Sequence, residues 1–185
     1  MDLQSLLESS GAILRGHFIL TSGRRSDVYF EKFRVLERPD VLSELCRHIA
    51  QAHMGKGIEL VVGPTTGGII IACEVARQMG LPAAYIETED GVKTFRRGKT
   101  LSPGTNTLVV DDVLTTGRSL VESREAVERA GGVVAGYAVL IDRSVDLDLG
   151  LPLFASYRVE ARSWAPDEVP PELAAIPAVK PGTRK

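Results

Sequence analysis

The chain has 185 residues, 44% of them hydrophobic, which is enough to bury the core of one compact domain. Its 22 Lys and Arg residues nearly balance 24 Asp and Glu residues, and this balance argues against a nucleic-acid-binding protein, which needs a basic face. The N-terminus carries no basic and apolar leader, and no apolar run reaches about 18 residues, so a cytoplasmic protein without a membrane partner is expected.

Alternating strands and helices are predicted along most of the chain. A short helix at 2–9, with Asp2 as its N-cap, is followed by strands at 16–20 and 26–33. Another helix begins at Pro39. The remaining predicted elements are helices at 67–79 and 119–130 and strands at 60–63, 83–86, 107–110, 133–141 and 154–159. This order predicts an α/β fold with a mainly parallel central sheet flanked by helices on both faces.

One domain is predicted over residues 1–165, followed by a Pro-rich C-terminal tail at 166–185 that is extended or frayed. Within the domain, residues 87–104 show no apolar periodicity and are rich in Lys and Arg. Irregular segments of this length are often functional lids, although a solvated charged loop is the ordinary alternative.

The segment from Leu108 to Ser119 is the most informative part of the chain. An apolar strand ends at the acidic pair Asp111 and Asp112, and a loop rich in Thr and Gly then opens a helix. Backbone N–H groups at a helix start bind phosphate, whereas two adjacent carboxylates suit sugar hydroxyls or a hydrated divalent cation. The segment therefore predicts a ligand with a phosphate beside a sugar diol. The alternative is a plain strand-to-helix turn with a solvated acid pair.

This segment resembles the phosphoribosyl pyrophosphate (PRPP) motif of the type I phosphoribosyltransferases, which is a hydrophobic run, two acidic residues and a Thr/Gly-rich loop. The resemblance implies a type I phosphoribosyltransferase-like fold with a small N-terminal hood, here residues 1–35. It also implies that PRPP is bound by Asp111, Asp112, Val113, Leu114, Thr115, Thr116, Gly117, Arg118 and Ser119.

A second strand-to-helix loop contains Thr65, Thr66, Gly67 and Gly68. Its glycines allow close backbone approach, and its N–H groups can face an anion. Considered alone, the loop is as consistent with a tight turn as with an anion site. Considered together with the first loop, it indicates an anion site more strongly, because PRPP carries a 5-phosphate and a separate pyrophosphate. The resemblance implies a pyrophosphate site here, although many orotate-specific relatives have a Lys where this chain has Gly67.

The segment from Gly16 to Phe30 resembles the hood of the orotate phosphoribosyltransferase family, which has a Gly-x-Phe-x-Leu-x-Ser-Gly-x-x-Ser pattern followed by aromatic residues. In that family the segment closes over the pyrimidine. The resemblance implies that Tyr29 and Phe30 contact orotate, and ordinary strand packing is the alternative. Thr21 lies where a PRPP-contacting Lys is common.

Arg143 follows a strongly apolar strand and is preceded by Asp142. The family has a matching Asp-Arg pair whose guanidinium holds the orotate carboxylate, and Arg suits the bidentate recognition of a carboxylate. A surface ion pair with Asp142 or Asp146 is the alternative. The resemblance also implies an orotate contact for Thr115.

The basic segment at 87–104 resembles the mobile catalytic loop of this family, which inserts Lys and Arg into the neighbouring subunit's active site. Lys93 and either Arg96 or Arg97 are expected to reach pyrophosphate. The family usually has a basic residue directly after the preceding strand, where this chain has Thr88 between two glutamates.

Together the motifs imply an enzyme that joins orotate to PRPP, giving orotidine 5′-phosphate and pyrophosphate in pyrimidine synthesis. The resemblance implies a homodimer and Mg²⁺, bound mainly through PRPP and water with no direct protein ligand. Asp111 and Asp112 are expected to hold the ribose hydroxyls. Two alternatives stay open: a type I phosphoribosyltransferase for a purine or another pyrimidine, and a non-catalytic PRPP- or nucleotide-binding regulator. The non-basic residues Thr21, Gly67 and Thr88 favour the latter.

Overall fold

The computed structural model describes residues 2–20, 22–96, 99–159 and 162–181. The chain divides into two compact units, one of residues 39–158 and one that joins the first 38 residues to those from 159 onward. The predicted site residue Arg97 lies outside the described residues, as does Thr21, which occupies a position where the family commonly has a Lys. Among the helices in the described ranges, none is both long enough and apolar enough to cross a lipid bilayer.

The described residues form helices and strands that follow one another along the chain. They are α1 (Leu3–Ser9), β1 (Ile13–Ile19), β2 (Arg25–Phe30), α2 (Phe33–Leu36), α3 (Pro39–His53), β3 (Leu60–Pro64), α4 (Gly67–Met79), β4 (Ala83–Glu89), β5 (Val92–Phe95), β6 (Asn106–Leu114), α5 (Arg118–Arg129), β7 (Val133–Asp142), β8 (Leu153–Arg158), β9 (Ser163–Trp164) and α6 (Pro171–Ala174). The predicted helix at 67–79 is confirmed residue for residue.

The larger unit is built on a six-stranded sheet in the order β5-β4-β3-β6-β7-β8. β3 pairs in parallel with both β4 and β6, and β7 pairs in parallel with β6 and β8. Only β5 is antiparallel to its neighbour within this described sheet, and it forms one edge. The predicted mainly parallel sheet is therefore confirmed.

Helices cover both faces of this sheet. The chain leaves β3 towards β4 and leaves β6 towards β7, in opposite directions along the sheet. Since such crossovers are right-handed, α4 and α5 pack on opposite faces. On the α5 side, a core formed by residues such as Val109, Leu120, Val127 and Tyr137 is buried. This packing holds the carboxyl ends of β3 and β6 in place.

Residues 87–95 are not irregular, so the prediction of a loop beginning at residue 87 is wrong for that part. β4 continues to Glu89, and β5 pairs back on it, with Thr88 opposite Lys93. Asp90 and Gly91 form the turn, with φ of 50° and 80°. Asp-Gly with positive φ at both residues is a favoured two-residue hairpin turn. The hairpin was not predicted because residues 87–95 show no apolar periodicity, although its Asp-Gly turn is visible in the sequence.

The smaller unit contains an antiparallel sheet in the order β1-β2-β9. Asp2 caps α1 as predicted, its carboxylate accepting a hydrogen bond from the Ser5 backbone N–H at 2.9 Å. The predicted strands at 16–20 and 26–33 are displaced. β1 begins at Ile13, whose side chain is buried, and β2 ends at Phe30 because Phe33 starts α2.

The C-terminal segment is part of this smaller unit. The Val179 carbonyl accepts a hydrogen bond from the Ile19 N–H, and the Val179 N–H donates to the His17 carbonyl, both at 2.8 Å. The segment also contains the short helix α6. The described part of the predicted tail is thus tied to the edge of β1, a long-range pairing that no local pattern predicts.

Candidate active site

The two predicted phosphate loops follow neighbouring strands. One follows β3 and the other follows β6, and these strands pair in parallel, with Val62 opposite Val109. They are also the point where the direction of the chain across the sheet reverses. In open α/β sheets such a reversal leaves a crevice at the carboxyl ends of the strands, where ligands bind. The fold therefore brings both predicted loops to one crevice.

The loop after β3 depends on a close approach between two backbone segments. A Cβ atom at Gly63 would lie far inside van der Waals contact with the Gly68 carbonyl, and one at Gly68 would lie 2.5 Å from Pro64 Cδ. Only glycines allow the first turn of α4 to pack so closely on the end of β3. Thr65 and Thr66, joined by a cis peptide bond, are exposed at the tip.

The N-terminus of α4 is suited to an anion. No described side chain caps it, and its first turn begins with Gly67 and Gly68 and contains no acidic residue. Its first N–H groups and the helix dipole therefore favour negative charge at this position.

The acidic pair lies within β6, because this strand continues to Leu114 and does not end at residue 110 as predicted. Both carboxylates are largely buried. One oxygen of Asp111 accepts a hydrogen bond from the Ser119 hydroxyl at 2.7 Å, and the other accepts from the Asp112 backbone N–H at 2.8 Å. One oxygen of Asp112 accepts from the Val113 backbone N–H at 2.7 Å. These bonds fix the orientation of the carboxylates at the crevice.

The loop after β6 turns sharply into α5. Gly117 has φ of 75°, the left-handed region that favours glycine, and it begins the helix without a side-chain cap from the described residues. A Cβ at this position would lie 2.5 Å from Leu149 Cδ2. Thr115 and Thr116 are exposed beside it. The N–H groups of this turn are therefore available to a second anion.

The other predicted PRPP residues of this segment differ in exposure. Val113 is half-buried and Leu114 is buried, so backbone groups are what they can offer a ligand. Arg118 is exposed, and its Nε donates to Glu122 Oε1 at 2.6 Å.

The charges around Asp111 have opposing effects. Burial, and then the negative charge of Asp112, raise the pKa of Asp111 above its usual value. The Ser119 hydroxyl and the Lys93 ammonium oppose that rise. Burial in turn lowers the pKa of Lys93, and the charge of Asp111 counteracts this effect.

Two of the described basic residues in the predicted catalytic loop, Lys93 and Arg96, make polar contacts through their side chains. Lys93 Nζ donates to the Ser119 hydroxyl at 2.6 Å. Arg96 Nε lies 2.9 Å from Glu87 Oε2, and Arg96 Nη1 lies 3.8 Å from Glu89 Oε1. The two glutamates that flank Thr88 thus hold Arg96 on the β4–β5 hairpin.

Arg143 lies just beyond the carboxyl end of β7 and is half-buried. Its backbone N–H donates to the Leu114 carbonyl at 2.9 Å, which fixes it beside the loop after β6. The neighbouring Asp142 is fully buried and accepts hydrogen bonds from Arg158 Nε and Nη2 at 3.0 and 2.6 Å, as well as from Ser144. Burial raises the pKa of Asp142, but these hydrogen bonds outweigh burial and the pKa is lowered. The ion pair of Asp142 is therefore with Arg158.

The two predicted hood residues belong to the smaller unit. Phe30 is buried at 6% exposure, whereas Tyr29 is half-buried, with its ring centroid 5.7 Å from that of Phe18. Tyr29 therefore presents the more accessible ring.

Sequence reasoning missed one polar residue close to the acidic pair. The Ser123 hydroxyl is buried, donates to the Ser119 carbonyl at 2.7 Å and lies 3.4 Å from Lys93 Nζ. The available signal was its spacing, since Ser123 lies one helical turn after Ser119.

Comparison with known proteins agrees with this architecture. The family model described as the phosphoribosyl transferase domain matches residues 35–150, and the fold is that of the type I phosphoribosyltransferases. The chain is 48% identical to the orotate phosphoribosyltransferase of Pelotomaculum thermopropionicum, covering 100% of this chain and 97% of that protein. It is 44% identical to the one from Maricaulis maris, covering 95% and 93%. The chain belongs to the orotate phosphoribosyltransferase family.

A solved structure leads to the same family. The crystal structure of orotate phosphoribosyltransferase from Aeropyrum pernix matches with a TM-score of 0.73 and 29% identity, covering 86% of this chain and 94% of that chain.

Proposed function

We propose that this protein transfers the phosphoribosyl group of PRPP to orotate, giving orotidine 5′-phosphate and pyrophosphate in pyrimidine synthesis. One observation carries the proposal. The N-termini of α4 and α5, each with a glycine at its start, and the acidic pair all lie where the direction of the chain across the sheet reverses. PRPP has this distribution of groups, with a phosphate at each end of a ribose diol. The names of the full-length relatives support orotate as the acceptor.

In this proposal each end of PRPP has its own loop. The N–H groups at the start of α4, with Thr65 and Thr66, bind pyrophosphate. Those at the start of α5, with Thr115 and Thr116, bind the 5-phosphate. Asp112, with Asp111 beside it, accepts hydrogen bonds from the ribose hydroxyls. The paired hydrogen bonds within β6 support this role because they hold both carboxylates in one orientation.

The reaction needs no nucleophilic side chain, because orotate itself attacks the anomeric carbon. Positive charge grows on the ribose while negative charge grows on the departing pyrophosphate. The buried carboxylates stabilise the former, and the helix start of α4 stabilises the latter. We propose that Arg96 and Arg97 also bind pyrophosphate. Arg96 would then leave its ion pairs with Glu87 and Glu89 and contact the ligand instead.

The residues at the crevice fit Mg²⁺ bound with water and PRPP. Within the described ranges, no group of three or more His, Cys, Asp or Glu residues is arranged to hold a metal by itself. The donors present are the oxygen atoms of Asp111, Asp112 and the loop hydroxyls, which is the chemistry that hydrated Mg²⁺ prefers. Asp111 and Asp112 would hold the ion through water. When bound, Mg²⁺ neutralises charge on the pyrophosphate.

A direct assay tests the proposed function. Adding PRPP and Mg²⁺ to the protein with orotate is expected to consume orotate, followed as loss of its absorbance. Uracil, adenine and guanine are expected not to react under the same conditions. Reaction with one of these bases instead would indicate the alternative transferase. Calorimetric binding of PRPP without turnover of any base would indicate the non-catalytic regulator.

Arg143 supplies a test of the acceptor site. Arg143→Met is expected to raise the KM for orotate by about tenfold or more, because a charge-assisted bidentate contact to the orotate carboxylate is lost. Pyrophosphate binding, measured by calorimetry, is expected to stay at the wild-type value. Arg47→Met is the matched control, since Arg47 is an exposed residue of α3 paired with Glu44. An orotate KM unchanged in Arg143→Met would remove this assignment.

We also propose that the protein is a cytoplasmic homodimer in which the segment at 87–104 contributes basic residues to the active site of the partner subunit. The position of β5 at the sheet edge supports a loop that extends outward. The two cysteines, both free thiols, suit a reducing compartment.

Subunit complementation tests this arrangement. Asp112→Asn and the double variant Arg96→Ala, Arg97→Ala are each expected to be nearly inactive. Co-expressed, they are expected to recover about a quarter of wild-type activity, because half of the dimers would contain one intact site. No recovery in mixed dimers would mean that the loop acts within its own subunit.

A further inference from the structure

Lys93 is held against the first turn of α5. Its Nζ donates to the Ser119 carbonyl at 3.0 Å and the Ser119 hydroxyl at 2.6 Å, and lies 3.4 Å from the Ser123 hydroxyl. The Lys93 carbonyl accepts a hydrogen bond from Arg129 Nη2 at 2.6 Å. Both the backbone and the side chain of this residue therefore connect β5 to α5.

The direction of the hydrogen bonds follows from the groups involved. A lysine ammonium only donates, so the Ser119 hydroxyl accepts from Lys93 and has its own hydrogen left to donate. That hydrogen goes to Asp111 at 2.7 Å. Lys93, Ser119 and Asp111 thus form one directed chain that ends on a carboxylate of the acidic pair.

We propose that Lys93 is a positioning residue that orients Asp111 and the first turn of α5 for the ribose 5-phosphate portion of PRPP. It would then not be a cation that contacts pyrophosphate. This inference rests on the proposed function, because it assigns the ligand of the α5 loop.

The placement of Lys93 in its strand supports this role. Side chains two residues apart on a strand share a face, and Phe95 on the same face belongs to the core beneath α5. Lys93 is half-buried on that face, and burial lowers its pKa. Reaching pyrophosphate would require the Lys93 ammonium to leave the oxygen atoms of Ser119 and Ser123.

Two partial ligands separate the two roles of Lys93. Ribose 5-phosphate has the phosphate and diol but no pyrophosphate, and inorganic pyrophosphate has neither ribose nor 5-phosphate. In Lys93→Met, calorimetry is expected to show ribose 5-phosphate bound about tenfold more weakly, from the loss of a charged hydrogen-bond donor. Pyrophosphate binding is expected to stay within about twofold of wild type, since no contact to it is removed.

Weaker pyrophosphate binding with unchanged ribose 5-phosphate binding would overturn the proposal. Equal weakening of both ligands would also overturn it, because it would indicate general loss of structure. Since the two ligands are compared in the same sample, the ratio of their affinities does not depend on the folded fraction. Lys93→Gln, which keeps a donor without the charge, is expected to recover part of the lost affinity.

Lys56→Met is the matched control, because Lys56 is exposed before the amino end of β3, away from the crevice. It is expected to bind both ligands as wild type does. These measurements need no orotate, so failure of the positioning role and failure of the orotate reaction are distinguishable. Wild type could turn over orotate while Lys93→Met binds ribose 5-phosphate normally, and only the positioning role would then fail.

Discussion

Asp112→Asn is expected to lower turnover at saturating PRPP by about a hundredfold, the size of effect seen when one preorganised group of an active site is lost. The amide keeps the shape of the side chain and an oxygen for the Val113 N–H. In the proposed function, it removes the negative charge that would face the developing positive charge on the ribose. Steady-state assay of orotate consumption at high PRPP measures the effect.

The folded state is expected to tolerate Asp112→Asn. In the wild type, the charge of Asp112 contributes to raising the pKa of Asp111, after burial, so the two carboxylates repel each other. Removing one charge relieves that repulsion. The melting temperature is therefore expected to stay the same or rise slightly.

A matched control for Asp112→Asn is Asp148→Asn. The carboxylate of Asp148 also accepts a hydrogen bond from a nearby backbone N–H, that of Gly150 at 2.8 Å, but it is exposed. Its turnover is expected to equal that of wild type. If Asp112→Asn retained turnover within about threefold of wild type, the charge of Asp112 would have no electrostatic part in the reaction.

The loops of the crevice could be predicted from sequence because each is a local feature. Around Gly63–Gly68 and again around Asp111–Ser119, the sequence shows an apolar strand, then a short loop that contains glycine, and then a helix. The alternation of strands and helices predicted the parallel sheet. Parallel strands place both loops at the same end of the sheet, where the carboxyl ends of the strands lie. The order of β3 and β6 within the sheet, which makes them neighbours, needed the structure.

The surroundings of Lys93 could not be predicted in the same way. Its charge and its place in a segment without apolar periodicity suggested a solvated loop. The Asp90–Gly91 turn was a readable hairpin signal, and it alone would have placed Lys93 on an edge strand. Which face of the strand meets α5, and hence the contact with Ser119, depends on long-range packing.

Gly63→Ala is expected to lower the free energy of unfolding by about 3 kcal/mol, the upper part of the range for overpacking a well-packed core. The added methyl group would collide with the Gly68 carbonyl, a backbone atom that cannot rotate away. The first turn of α4 must move instead. For a chain of this size the melting temperature is expected to fall by about 10 °C, measured by calorimetry or circular dichroism.

The same displacement would disturb the pyrophosphate site proposed at the start of α4, so the folded variant is expected to bind pyrophosphate much more weakly. Gly132→Ala separates this effect from overpacking in general. Gly132 is buried just before the amino end of β7, at the end of the sheet opposite to the crevice. A Cβ atom there would lie 2.8 Å from Leu101 Cδ1 and 2.9 Å from Val127 Cγ1. Those two atoms belong to side chains, and the nearest backbone atom, the Thr105 carbonyl oxygen, lies at 3.3 Å, so Gly132→Ala is expected to cost less stability and to keep pyrophosphate affinity. Wild-type pyrophosphate affinity in Gly63→Ala would show that the anion does not bind at the start of α4.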